Sequence, residues 1–395
     1  MAVTLLRRKI RRYTKSVNQD LLDRALIHGH TLERFSAGEV NKIIKFLNRD
    51  VLPDAVDKLE GRLRRIKQYG WDRGPATTKR LREMIAGTNE TVRAGIQDAG
   101  KTLREDLKGL AVTEAEWQTR ALRAATKGMG LGFVSPNVGR LHSILTSRPM
   151  QGALLSKWWD GVGKAAQRDI TRQLSIGIAQ GEPVDTIVRR LVGTRAAAFG
   201  DGAFGAIRRN VRATVRTAAN HVSTHARGMT AQENIEVIKG EQIVATLDYR
   251  TTPMCMAEDG KVYPVGEGWR PPGHHQCRTT VVPVLKSWKE LDIDLKEAPP
   301  GTRASMDGQV SAKETYGSWL KKQPHHIQNE ALGVTRARMF RQGRLNVKQL
   351  VDTKGRTLTL KQLRAKSGVF DKDTKFKDAL SRTPRIRKVS GPCGF

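Results

Sequence analysis

Three side chains able to bind a soft or borderline metal stand close together in the chain: Cys255, His274 and Cys277, in the order Cys-x18-His-x2-Cys. Thiolate and imidazole are ligands that zinc favours, and a His-x2-Cys pair on a tight turn can aim both side chains at one point. Three chemistries are open to such a set. It can hold a structural zinc, with a fourth ligand supplied by His275, Asp259, Asp248 or a water. It can be a metal-free pair of thiols, reduced or bridged, a reducing compartment disfavouring the bridge. It can also be the centre of a metal-dependent enzyme that cleaves nucleic acid, but the sequence offers no clustered carboxylates and no convincing pairing of base and nucleophile. The expectation is a structural, non-catalytic site.

Two strands have to bring these residues together. Ile243, Ala245 and Leu247 alternate with Val244, Thr246 and Asp248, and the later run TTVVPVL is rich in β-branched residues, so both read as strands. Cys255 follows the first and His274 and Cys277 precede the last, so a hairpin-like return closes the site. Ahead of them AIRRNVRATVRTAANHVSTHARGM carries Ile207, Val211, Val215, Ala218, Val222 and Ala226 at helical spacing. Arg208, Arg212 and Arg216 recur every fourth residue beside that stripe. They are candidates for contact with nucleic acid or a partner; a solvated charged face is the plainer alternative.

The rest of the chain reads as helical. In VLPDAVDKLEGRLRRIKQYG, Val56, Leu59, Leu63 and Ile66 share one face, and Ser36 (with Glu39 three residues on) and Thr88 look like helix starts. Trp158 and Trp159 are adjacent, about a hundred degrees apart on a helix, so one of them should meet a neighbouring element or chain. Pro324 and Gly333 stop two short helices, Lys354-Gly355 makes a turn, and Thr359 introduces a last helix. His325 and His326 read as surface or cap residues, and Cys393 as a bystander in a basic tail that is mobile or ordered by a partner. The opening MAVTLLRRKIRRYTK reads as the start of a surface helix and lacks the apolar core of a secretory signal.

The expected fold is mainly α with a smaller α+β domain. Elongated helical hairpins occupy 1–130, a helical region broken by Gly and Pro 131–205, and a compact Cys/His-containing helix-plus-hairpin domain 206–290; a helical extension over 291–366 and the tail over 367–395 follow. At 395 residues the chain is long enough for more than one core. Its 70 Lys and Arg against 39 Asp and Glu leave a formal charge of +31, which calls for a polyanion or an acidic assembly as partner. No apolar run reaches the roughly 18 to 20 residues that span a bilayer, so no membrane anchor is expected. Three cysteines exclude a dense disulfide framework and fit a reducing cytoplasm.

The stretch LDYRTTPMCMAEDGKVYPV, followed by RPPGHHQCRTTVVPV, resembles the signature of the phage head morphogenesis family, the Mu F-like minor head proteins. Asp248, Arg250, Thr251 and Cys255 match its D-x-R-T-x-x-x-C element. Asp259, Gly260, Lys261 and Tyr263 match its D-G-K-x-[FY] turn, and Pro271, Pro272, His274, Cys277 and Arg278 its P-P-x-H-x-x-C-R element. The helix with Arg216 and Asn220 resembles the one that opens the family's domain, and the segment from Tyr316 to Lys366 its common extension. The likeness covers about 206–285 closely and 310–366 more loosely; His275 falls where the family varies, a poor position for a fourth ligand. It implies a virion component present in few copies in the head interior or portal region, assembled in the host cytoplasm. Portal protein, scaffold or major capsid protein and packaged DNA would be its partners.

Overall fold

The computed structural model describes residues 16–68, 75–294, 296–299 and 301–367. The opening basic stretch, the tail and Cys393 lie outside the described residues. The protein is mainly helical with a small antiparallel β region, as the sequence patterns predict.

Helix α1 spans Val17–Phe46, started by Ser16, whose hydroxyl accepts from Gln19 N at 3.1 Å. A π-helical turn, Leu47–Val51, joins it to α2, Leu52–Gln68. Helix α3, Pro75–Ala125, runs for 51 residues, a rod of roughly 75 Å at 1.5 Å per residue. Two short helices, α4 (Val138–His142) and α5 (Ile144–Ser147), precede α6 (Leu155–Ala179), α7 (Val184–Val192) and the central α8 (Ala203–Glu233).

The sheet follows, with β1 at Ile238–Val244, the short α9 at Pro253–Glu258, β2 at Val262–Pro264 and β3 at Thr280–Leu285, ordered β2-β1-β3. Strands β4 (Thr302–Ser305) and β5 (Gly308–Ser311) form a hairpin that reaches β1's end through a bridge from Leu247 to Ser305. Helices α10 (Tyr316–Lys321), α11 (His325–Leu332), α12 (Val334–Arg341) and α13 (Leu360–Ser367) complete the described chain, with a 3-10 turn at Val347–Leu350.

Among the described residues three large apolar cores result, with a small cluster of Ala245, Cys255 and Cys277 beside them. The largest draws on residues from Val40 to Met229, so helices from the first half pack directly around α8. Leu59, Leu63 and Ile66 of the stripe on α2 are buried in it, as is every apolar residue singled out on α8. The second joins Val17, Leu21 and Leu22 of α1, Leu122 of α3 and Val244 and Val282 of the sheet. The third gathers Tyr316, Trp319, Phe340 and Leu350 with Leu247 and Met256. Each buried side chain of this size contributes about 1.5–3 kcal/mol.

From Thr214 to Ala231, α8 is buried on nearly every face, which its small residues allow. Several of its hydroxyls donate to carbonyls one turn back, as in Thr217 to Ala213 O and Thr224 to Asn220 O.

The same back-bonding explains two corrections. Ser36 and Thr88 start no helix; they lie inside α1 and α3, where their hydroxyls donate to Leu32 O at 2.8 Å and Met84 O at 3.0 Å. The first strand also begins earlier than its alternation suggests. Beyond Val244 the chain leaves the ladder because Ala245 N donates to Asp259 and Leu247 turns to Ser305. Trp159 is buried with its Nε1 donating to Ile96 O, while Trp158 packs edge-on against His275 at 4.8 Å, so the neighbouring element it meets is the Cys/His loop.

Candidate metal centre

Antiparallel pairing of β1 with β3 brings the two ends of the Cys/His excursion side by side. Cys255 lies on α9, which begins with Pro253 after the extended Thr252. His274 and Cys277 lie on the return loop, where Gln276 adopts φ 56° and Cys277 N donates to His274 O at 3.3 Å. Helix α8 holds that loop from below. Asn220 Nδ2 donates to Cys277 O at 2.6 Å and Thr279 O at 3.2 Å, Thr217 Oγ1 accepts from Gln276 N at 3.0 Å, and Thr224 Oγ1 donates to Pro271 O at 2.8 Å.

Cys255 Sγ stands 3.3 Å from His274 Nε2 and 3.6 Å from Cys277 Sγ, and the three ligand atoms lie within 4.8 Å of one another. Tetrahedral zinc, with bonds of about 2.3 Å to sulfur and about 2.05 Å to nitrogen, separates two sulfurs by roughly 3.8 Å and sulfur from nitrogen by roughly 3.5 Å. The two distances from Cys255 are close to these values, and the three residues together could hold a metal ion. His274 Nδ1 donates to His275 O at 2.8 Å, which turns Nε2 toward the sulfurs. The sulfurs are too far apart to be bonded, and both cysteines are free.

The cluster's electrostatics favour one thiolate. The hydrogen bond from Cys255, then the His274 ring, hold Cys277 down to about 4 against the effect of burial. The same hydrogen bond and burial push the Cys255 thiol up. Burial opposes the charged form of His274, but the Cys277 sulfur outweighs it and raises the imidazole.

No fourth His, Cys, Asp or Glu joins the cluster among the described residues. Asp248 and Asp259, the expected alternatives, have other work. Asp248 accepts two bonds from the Arg278 guanidinium, at 2.6 and 2.8 Å, and one from Arg250 N. Asp259 is fully buried and accepts from Ala245 N, Tyr316 N and both terminal nitrogens of Arg303. His275 turns its ring to Trp158.

The other motif residues frame the site. Thr251 Oγ1 donates to Thr246 O, Gly260 takes φ 80° so that its N reaches Ile243 O, and Lys261 pairs with Glu258. Pro271 and Pro272 join through a cis bond on the return loop, and Arg250 is exposed. On α8, Arg212 and Arg216 are exposed, whereas Arg208 donates to Asn48 Oδ1 and Phe199 O.

Arg303 escapes sequence reading: it lies 44 residues beyond Asp259, and nothing in its surroundings marks it as buried. So does a buried network at the crossing of α1, α3 and α8, in which Glu114 accepts from His28 and Ser223 and pairs with Arg227. The chain matches no protein-family profile, no curated protein and no solved structure.

Proposed function

We propose that this chain is a minor head protein of a tailed phage, working without catalysis in procapsid assembly beside the portal and in contact with packaged DNA. The observation that carries the reading is the ordered set from Asp248 to Arg278. Its residues match the head morphogenesis signature in sequence, and several of them close a single small site: Asp248 grips Arg278, Asp259 anchors the turn after α9, and Cys255, His274 and Cys277 converge.

Cys255, His274 and Cys277 would hold a zinc ion that staples the domain, since the binding free energy of a structural metal is also folding free energy. Asp248 and Asp259 are spent on arginines and Glu258 on Lys261 and Tyr263, which leaves no evident general base and favours a structural over a nuclease role. The +31 charge and the exposed Arg212 and Arg216 suit a place beside DNA and acidic shell surfaces.

The deciding experiment is a count of this protein in mature particles and in particles assembled without portal. A portal-docked component is present in few copies in the first set and missing from the second. A polypeptide absent from mature particles refutes the reading. A rival nuclease would show metal-dependent DNA cleavage that a folded His274→Ala variant loses.

A further inference from the structure

The Cys/His cluster forms one wall of a cleft of about 880 Å³ between α1, α8 and the end of β1, within the size range of small-molecule sites. Its mouth carries Arg216 and Arg250, both exposed. Arg216 makes no hydrogen bond or ion pair among the described residues, and Arg250's nearest carboxylate oxygen is 3.9 Å away. Arg216 is thus unpaired, and Arg250 is held only by a long, exposed ion pair to Asp248.

The lining also includes Arg227, Asn220 and Thr280, each of which has at least one buried polar atom without a hydrogen-bond partner among the described residues. Arg227 is 4% exposed and its NH1 is unpartnered, although its Nε pairs with Glu114. Asn220 is 7% exposed; its Nδ2 is used twice, but Oδ1 accepts from nothing. Thr280 Oγ1 is likewise buried and unpartnered. A buried polar group left unpaired costs about 1–3 kcal/mol, more when charged, so several along one cleft point to a ligand or ordered solvent that completes them.

The unmet groups specify that ligand. Arginine supplies planar, permanently charged donors suited to phosphate oxygens. Asn220 Oδ1 needs a donor, which a phosphate dianion lacks and a hydroxyl provides. We infer that the cleft binds a phosphate ester, with its phosphate at the exposed Arg216 and Arg250 and its hydroxyl-bearing part toward Asn220 and Arg227. Such a group belongs either to a free nucleotide or to the phosphorylated end of a nucleic-acid strand. The inference is independent of the head-protein reading, since binding can be measured on the purified chain whatever particle it belongs to.

The test uses the full-length, zinc-loaded protein and titrates inorganic phosphate, a nucleoside 5′-monophosphate, and a short single-stranded oligonucleotide with or without a 5′-phosphate. Saturable binding is expected for the monophosphate or the phosphorylated strand, tighter than for inorganic phosphate or the hydroxyl-ended strand. Equal affinity for the two esters assigns the site to a free nucleotide, and preference for the strand assigns it to a nucleic-acid end. Arg216→Ala and Arg250→Ala should each weaken binding about tenfold, as loss of a hydrogen bond to a charged group implies. Arg104→Ala, which removes an exposed arginine on α3 outside the cleft, should leave it unchanged. The inference is overturned if nothing binds saturably, if the strands bind alike with and without phosphate, if inorganic phosphate matches the esters, or if Arg104→Ala weakens binding as much as Arg216→Ala.

Discussion

Asp259 illustrates what a single carboxylate does here: with no exposed side-chain surface, it receives two backbone N–H groups and two guanidinium nitrogens. Asp259→Ala would strand the Arg303 charge in the interior, so a loss of roughly 3–5 kcal/mol is expected in urea unfolding. Asp259→Asn should recover only part of it. A second residue-scale prediction concerns His221 and His225, edge-to-face at 4.4 Å. Burial first, then nearby positive charge, holds His221 down to about 4 and His225 down to about 2. An unfolded chain protonates both near 6.5, so below that pH the unfolded state binds more protons and stability falls as pH drops toward 4. His221 alone accounts for on the order of 3 kcal/mol over that span, at about 1.36 kcal/mol per unit. Urea midpoints measured from pH 7 to 4.5 should show the decline, and His225→Phe should flatten it. The Cys255, His274 and Cys277 convergence was legible in the sequence because residue type and short spacing survive without coordinates. Arg303 and Glu114 were not, because their partners come from distant segments and neither type usually marks an interior.

At the scale of elements, close approach governs α3. A methyl group at Gly100 would sit 2.3 Å from the Trp159 ring, and one at Gly95 2.4 Å from Val51. Gly100→Ala gains about 1 kcal/mol of helix propensity but drives a methyl into a buried indole that is fixed by its bond to Ile96 O. Overpacking costs typically 1–3 kcal/mol, so a net lowering of thermal stability is expected, and Gly109→Ala, with open space around it, should raise stability instead. Helical periodicity found the faces of α2 and α8 but not where α1 and α3 begin. A serine or threonine reads alike as a cap or as a mid-helix residue bonded one turn back, and only the packing of Ser36 and Thr88 into buried positions decides between them. The strand that ends at Val244 shows the converse, since a side chain from another segment, Asp259, takes the next backbone N–H.

For the whole molecule, the cores are coupled. The return loop that bears His274 and Cys277 leads straight into β3, whose Val282 and Leu285 share a core with α1 and with Leu122 of α3. Removing zinc from the loaded protein with a chelator, or replacing Cys277 by Ser, should therefore lower the melting temperature of the whole chain and not only loosen a loop. Far-ultraviolet circular dichroism during a thermal ramp checks this, and an unchanged single transition after complete metal removal would refute the staple. The +31 charge gives a further contrast: affinity for duplex DNA should fall steeply with salt. On the proposed function, co-purification with a portal should persist at a salt concentration that releases DNA.

The long rod formed by α3 carries Met84 in one core and Leu122 in another, with no break between them. Its backbone hydrogen bonds run without interruption from the core shared with α2 to the core shared with the β-sheet. The molecule thus has two of its cores pinned to one unbroken helix, which fixes their spacing without help from any loop.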